Sequence, residues 1–240
     1  MSLPDVVSRE QWLEARMRLL AEEKEMSRKL AALAAERRRL PMVKIEKEYV
    51  FEGPDGKATL AELFDGASQL VVQHVMFGPD WESVCPGCTA SIDEMSDGLL
   101  RHIRSRDTRF VLVSRAPQAK LAATQASKGW TVPWYSSYGS DFNIDFQVTL
   151  DASVGQITYN FRPEPDLLNG QQSTEMPGFS AFLRDGEEVF HTYSCYARGG
   201  EYIGNAYTYL DITAFGRSED WEEPKGRART LHGADPTFTD

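Results

Sequence analysis

The chain contains three cysteines, and two of them stand close together as Cys85-Pro86-Gly87-Cys88. Two thiols at this spacing can do reversible dithiol–disulfide chemistry: one thiolate attacks a substrate disulfide, and the second thiol resolves the mixed disulfide. The same spacing also supplies half of a tetrahedral zinc site, which His191 and Cys195 would complete. Spacing alone leaves both open, and the local sequence favours redox chemistry. An apolar run, residues 69–77, precedes the pair, and Pro86, with no amide donor and a fixed φ, suits the first position of a helix. Cys85 then becomes the N-cap and Cys88 the third helical residue. Unpaired amides and the helix dipole favour a thiolate at Cys85, below the ordinary thiol pKa of about 8.5, while Cys88 is better shielded. The expected roles are nucleophile for Cys85 and resolving thiol for Cys88.

The bulk composition narrows the partners. The 240 residues carry a formal net charge of -10, with 41% hydrophobic and 26% charged residues. Such an acidic chain is not built for general attraction to nucleic acid or anionic membranes. Its apolar runs are far shorter than the roughly 20 residues of a membrane span. The charged N-terminal region lacks the apolar stretch of a secretory signal, so a cytoplasmic location is expected. In a reducing compartment three cysteines do not form a structural framework, and a close pair reads as catalytic or metal-binding. The redox reading implies no organic cofactor.

The elements that must position the pair follow from periodicity. Residues 8–40 read as one long helix, with Ser8 and Gln11 at capping-box spacing, Trp12, Met17, Leu20, Met26, Leu30 and Leu33 recurring, and Pro41 as the stop. At 1.5 Å per residue it would be about 48 Å long, which admits a homodimer contact through this helix as well as packing on its own domain. Next come an alternating segment 43–51, a Gly53-Pro54-Asp55-Gly56 turn and a short helix ending at Asp65-Gly66. After the cysteines, 89–104 reads as a helix, 109–113 as a strand and 118–128 as a helix stopped by Gly129. Residues 130–143 (WTVPWYSSYGSDFN) lack a clear period and are placed in loops, 156–161 reads as a strand, and 162–175 as an insertion. Two apolar runs, 179–183 and 189–193, flank an Asp185-Gly186 turn and predict a hairpin. Residues 201–210 read as a final helix, and 217–240 have no strong period.

The buried strand, Cys-Pro-Gly-Cys, the helix, and then Met176-Pro177 before a hairpin resemble the thioredoxin fold. The resemblance implies a cis-proline at Pro177 facing the dithiol, with Met176 offering its backbone to an extended substrate. More narrowly, strings such as WLEARMRLLAEEKE, HVMFGPDW, CPGC, GWTVPWYSSYGSDFN, HTYSCYARG and YLDITAFGR resemble an uncharacterised family of bacterial thioredoxin-like proteins, described as dithiol–disulfide oxidoreductases. The expected fold class is therefore α/β: a thioredoxin-like central mixed sheet flanked by helices, with a long N-terminal helix and an insertion between the Cys-x-x-Cys helix and the cis-proline hairpin. The expected organisation is a helical arm at 1–42, a thioredoxin-like domain at 43–216 and an irregular tail at 217–240.

Some details depart from thioredoxin, which has Trp before its first cysteine and Gly-Pro between the two; here Val84 and Pro-Gly stand in those places. Thioredoxin's buried acid has no counterpart, although Gln73 or His74 lies near its place, and His74 could relay a proton to Cys88 or serve as a hydrogen-bonded core residue. Trp134, Tyr135 and Tyr138 could wall a substrate groove or cover the core. Arg115 follows a strand end, where sites often lie in α/β sheets. A peroxiredoxin-like peroxidase is the weaker expectation, because Glu82 and Pro79 miss the Pro-x-x-x-Thr/Ser-x-x-Cys signature. The leading expectation is a thiol–disulfide oxidoreductase acting on a protein or small-molecule disulfide, with electrons from an upstream thiol reductant. The alternatives are a zinc-binding protein using Cys85, Cys88, His191 and Cys195, and a redox-regulated interaction module.

Overall fold

The computed structural model describes residues 3–203, 206–214, 219 and 221–226. In chain order they form α1 (Arg9–Arg37), β1 (Val43–Lys44), β2 (Val50–Gly53), β3 (Gly56–Thr59), β4 (Gln69–His74), α2 (Pro86–Asp93), α3 (Asp97–Arg104), β5 (Thr108–Ser114), α4 (Gln118–Lys128), β6 (Trp134–Ser136), α5 (Phe142–Asp145), β7 (Thr149–Asp151), β8 (Thr158–Tyr159), β9 (Arg162–Pro163), β10 (Ser173–Glu175), β11 (Gly178–Asp185), β12 (Glu188–Tyr196) and α6 (Ala206–Leu210). Described residues up to 41 and from 210 onward group into one compact unit, and residues 42–209 into another.

The first unit is dominated by α1. Its N-terminus is a complete capping box: the Gln11 amide donates to Ser8 Oγ at 3.2 Å, and the Ser8 amide donates to Gln11 Oε1 at 3.0 Å. Charged neighbours pair along its surface, as in Arg18–Glu14 and Lys29–Glu25. None of its side chains is fully buried, and Trp12, Met17, Met26, Leu30 and Leu33 are exposed.

The second unit is built on an eight-stranded sheet ordered β1-β12-β11-β4-β5-β6-β2-β3. Strands β4, β5 and β6 run parallel, while β11 and β12 form an antiparallel hairpin alongside β4. The strand β4, its following helices, parallel β5 and the hairpin beside β4 make this a thioredoxin-like α/β fold. Alternation along the strands puts successive side chains on opposite faces. Leu70, Val72, Val111 and Val113 join Phe51, Phe64, Phe142 and Phe182 in one core. Val75, Phe110, Leu112 and Trp134 join Leu121, Ile92 and Cys88 in the other.

Three element assignments change. Residues 89–104 are two helices, because Ser96 Oγ accepts from the Leu99 amide and caps a new helix, α3. Part of 130–143 is a strand, since β6 pairs with β5 and is buried at Trp134 and Ser136. The hairpin turns at Gly186, whose φ of 59° favours glycine. The extra chain between β6 and β11 folds into α5 and two small antiparallel pairs, β7 with β10 and β8 with β9. The expected helix at 201–210 is a 3-10 turn, Ala197–Ile203, followed by the short α6. Most of the expected tail at 217–240 lies outside the described residues.

Candidate active site

The dithiol sits where β4 ends and α2 begins. Cys85 is the N-cap of α2, Pro86 occupies the first helical position, and the Thr89 amide donates to the Cys85 carbonyl at 2.9 Å. A single residue, Met76, touches both members of the pair through its backbone. Its carbonyl accepts from the Cys85 amide at 3.1 Å, and its amide donates to Cys88 Sγ at 3.4 Å. Cys85 is partly exposed and Cys88 is buried, and neither is in a disulfide. The outer thiol can meet a substrate that the inner one cannot reach.

The loop between β4 and Cys85 is held from two sides. Trp81 lies so close to Gly78 that an added Cβ there would come within 2.9 Å of its ring, a close approach that only glycine permits. Lys120, on α4, donates from Nζ to the carbonyls of Pro79 (3.1 Å) and Trp81, and stands 5.0 Å from the Phe77 ring centre. Hydrogen bonds from a charged group contribute about 1.5–3 kcal/mol each. Lys120→Met should therefore lower unfolding free energy by about 2 kcal/mol in urea titration and speed amide exchange across residues 78–84. Unchanged exchange there would show that the lysine does not hold the loop.

His74 is not beside Cys88. It shares its face of β4 with Leu70 and Val72, packs against Phe142 and Phe146, and its Nε2 lies 2.8 Å from Ser180 Oγ. Cys88 belongs to the core on the other face. A relay from His74 would have to cross the sheet, so it is a core histidine. Burial, with a smaller contribution from His191, pulls its pKa down to about 3. In the unfolded chain the ring takes a proton below about 6.5. The native state is therefore penalised as pH falls from about 6.5 toward the folded value, by up to about 1.4 kcal/mol per pH unit. His74→Asn should remove one proton's worth of that slope in unfolding titrations stepped down from neutral pH.

The groove residues are placed differently from expectation. Trp134 is 0% exposed, donates from Nε1 to Ser114 Oγ at 3.0 Å, and packs against Phe77 and Trp130. Tyr135 points to the opposite face, with its ring against Gly53. Neither can wall a groove at the dithiol; both complete the core. The partly buried aromatics that do pack into the core holding Cys85 and Cys88 include Trp81 and Phe179. Trp81 carried a usable signal, since it ends the loop string GPDW four residues before Cys85.

Pro177 precedes β11, as the resemblance implied, but its bond to Met176 is not cis; among the described residues the cis bond is Glu223–Pro224. The Met176 amide donates to the Val148 carbonyl at 2.7 Å, which prolongs the β7–β10 pairing. Gly178 then pairs with His74. Met176 and Pro177 join the small sheet to the large one. Met176 has thus already spent the amide that a substrate strand would need. Tyr159 donates from its hydroxyl to the Pro177 carbonyl at 2.7 Å and fixes it further.

The zinc quartet is split between the two faces. The hairpin register shifts between Ala181 and Phe182, so that Thr192 is the extra residue of a β-bulge. His191 consequently faces Phe182 and Phe146 on the His74 side, while Cys195 pairs with Phe179 on the dithiol side. Among the described residues no three His, Cys, Asp or Glu side chains converge as metal ligands.

Arg115 reaches from the end of β5 to Glu175, just before β11, donating from Nη1 to Oε1 at 3.1 Å. Glu175 is 4% exposed and also accepts from Thr149 Oγ1 at 2.7 Å. Burial raises its pKa, opposed by the Thr149 hydrogen bond and by Arg115. Because β4 lies between β5 and β11, the ion pair crosses the end of the strand that carries the dithiol. It ties the inserted elements to the sheet.

These features define a thioredoxin-like protein with a Cys-x-x-Cys pair at the start of a helix. The chain belongs to the family described as "Bacterial protein of unknown function (DUF899)", whose model matches residues 1–233. No curated protein matches it. Solved structures resemble it distantly. The bacterioferritin comigratory protein of Xanthomonas campestris is 15% identical with a TM-score of 0.45, covering 64% of this chain and 83% of that one. The peroxidoxin BcpB of Mycobacterium tuberculosis is 15% identical with a TM-score of 0.43, covering 64% and 86%. A hypothetical protein from Sinorhizobium meliloti 1021 is 16% identical with a TM-score of 0.36, covering 68% and 75%. At this distance the likenesses say nothing about activity. Among the described residues no helix is long and apolar enough to cross a membrane.

Proposed function

We propose that the protein is a thiol–disulfide oxidoreductase cycling Cys85 and Cys88. The observation that carries this reading is that Met76 holds the Cys85 amide and the Cys88 thiol with its own backbone, in a pair of cysteines of unequal burial. As N-cap of α2, Cys85 lies at the positive end of the helix dipole, which favours the thiolate. That thiolate attacks one sulfur of a substrate disulfide; a Cys85–substrate bond forms and one substrate thiolate leaves. Cys88, as thiolate, then attacks the Cys85 sulfur, and the second substrate thiolate leaves. The protein loses two electrons and the substrate gains them, and the two protons of the dithiol pass to the departing thiolates or to water. A thiol reductant returns the electrons by the reverse exchange.

The activity is tested by supplying the protein with a small dithiol donor and a model protein disulfide. Reduction proportional to enzyme concentration, well above the rate of the donor alone and lost in Cys85→Ser, is the expected result. A rate equal to that of the donor alone would count against catalysis.

A further inference from the structure

Gln73 is an amide in an apolar setting. It shares its face of β4 with Val71 and Val75, and its neighbours across the sheet on that face are Leu112 and Phe179. It is 4% exposed. Its Nε2 donates to Ser91 Oγ at 3.2 Å, and its Oε1 is buried with no hydrogen-bond partner. An apolar side chain of similar length would fill the place without leaving a carbonyl orphaned, so the core itself gives no reason for an amide here.

Ser91 supplies a reason. It lies on α2 one turn beyond Cys88, on the inner side of the helix shared with Ile92. The N-terminus of this eight-residue helix has no side-chain cap. The helix is held to its surroundings by the Met76 amide at Cys88 Sγ, by Gln73 at Ser91, and by Trp130 Nε1 at Asp93 (2.7 Å). Between the thiol and the far end, Gln73 is a polar tether.

We propose that Gln73 is a positioning residue for the resolving step: through Ser91 it fixes the turn of α2 that presents Cys88 to the Cys85 sulfur. The inference rests on the dithiol reading above. Attack by Cys85 on a substrate does not depend on where Cys88 stands, whereas resolution requires the two sulfurs in line. Loss of the tether therefore acts on the second step alone.

The test uses the reduced full-length protein with Cys195→Ser and a sub-stoichiometric amount of dithiodipyridine. One chromophore is released on attack and a second on resolution. Gln73→Met keeps the length and apolar fit while removing the tether. It should leave the first phase within about twofold and slow the second about tenfold or more, because small misplacements of reacting groups are costly. Ser91→Ala, which cuts the same hydrogen bond from the helix side, should slow the same phase and serves if Gln73→Met does not fold. Equal slowing of both phases, or an unchanged second phase, would overturn the proposal. Absence of any second release in the parent protein would instead overturn the dithiol reading itself.

Discussion

Cys85→Ser is expected to lower disulfide turnover by about a thousandfold or more, because a hydroxyl at neutral pH is a far weaker nucleophile toward sulfur than a thiolate. Cys88→Ser is expected to behave differently. Cys85 stays partly exposed at the helix start, so attack continues, but nothing displaces the bound half of the substrate. The variant should accumulate a mixed disulfide at Cys85, visible as a stoichiometric mass increase that a reductant removes. The asymmetry follows from burial, since the inner thiol cannot replace the outer one in meeting substrate. Equal loss in both variants with no adduct in either would show that the two sulfurs do not act in sequence.

Trp134→Ala should strongly destabilise the fold. The ring is fully buried, its Nε1 donates to Ser114 Oγ, and it packs at a tilt against Phe77 and Trp130. Removing a buried tryptophan costs about 3–5 kcal/mol. For a protein of this size that corresponds to a fall in Tm of about 6–20 °C. Thermal unfolding followed by circular dichroism reads this directly. A nearly unchanged Tm with weakened substrate binding would instead return Trp134 to a groove.

The same residue shows why part of the fold was hidden in the sequence. Strand β6 is three residues long, follows Pro133, and has apolar side chains on successive positions because Trp134 and Tyr135 serve opposite cores. A strand buried on both faces loses the alternation that marks a strand. By contrast, α1, α4 and the β11–β12 hairpin were legible from a repeating apolar pattern with an explicit stop or turn, and β4 and β5 from continuous apolar runs long enough to mark strands that serve both cores. The dithiol was legible for a similar reason, since Pro86 announces the helix start. What could not be read were relations across the sheet. Two-residue alternation would put His191 and Cys195 on one face, and only the bulge at Thr192 separates them. Likewise, order along the chain located Pro177 but neither the geometry of its peptide bond nor the pairing of Met176 with Val148. His74 and Gln73 are adjacent in sequence, and only the register shows that Gln73 faces the cysteines.

The most direct test of the dithiol is a count of thiols and metal in one sample. The protein is titrated before and after mild oxidation and again after reduction, with zinc assayed throughout and the oxidised form digested for peptide mapping. The expected result is loss of two thiols on oxidation, their recovery on reduction, a Cys85–Cys88 disulfide in the digest, and no stoichiometric zinc. Stoichiometric zinc, with no pair that oxidises and recovers, would contradict the assignment of Cys85 and Cys88 as a redox couple.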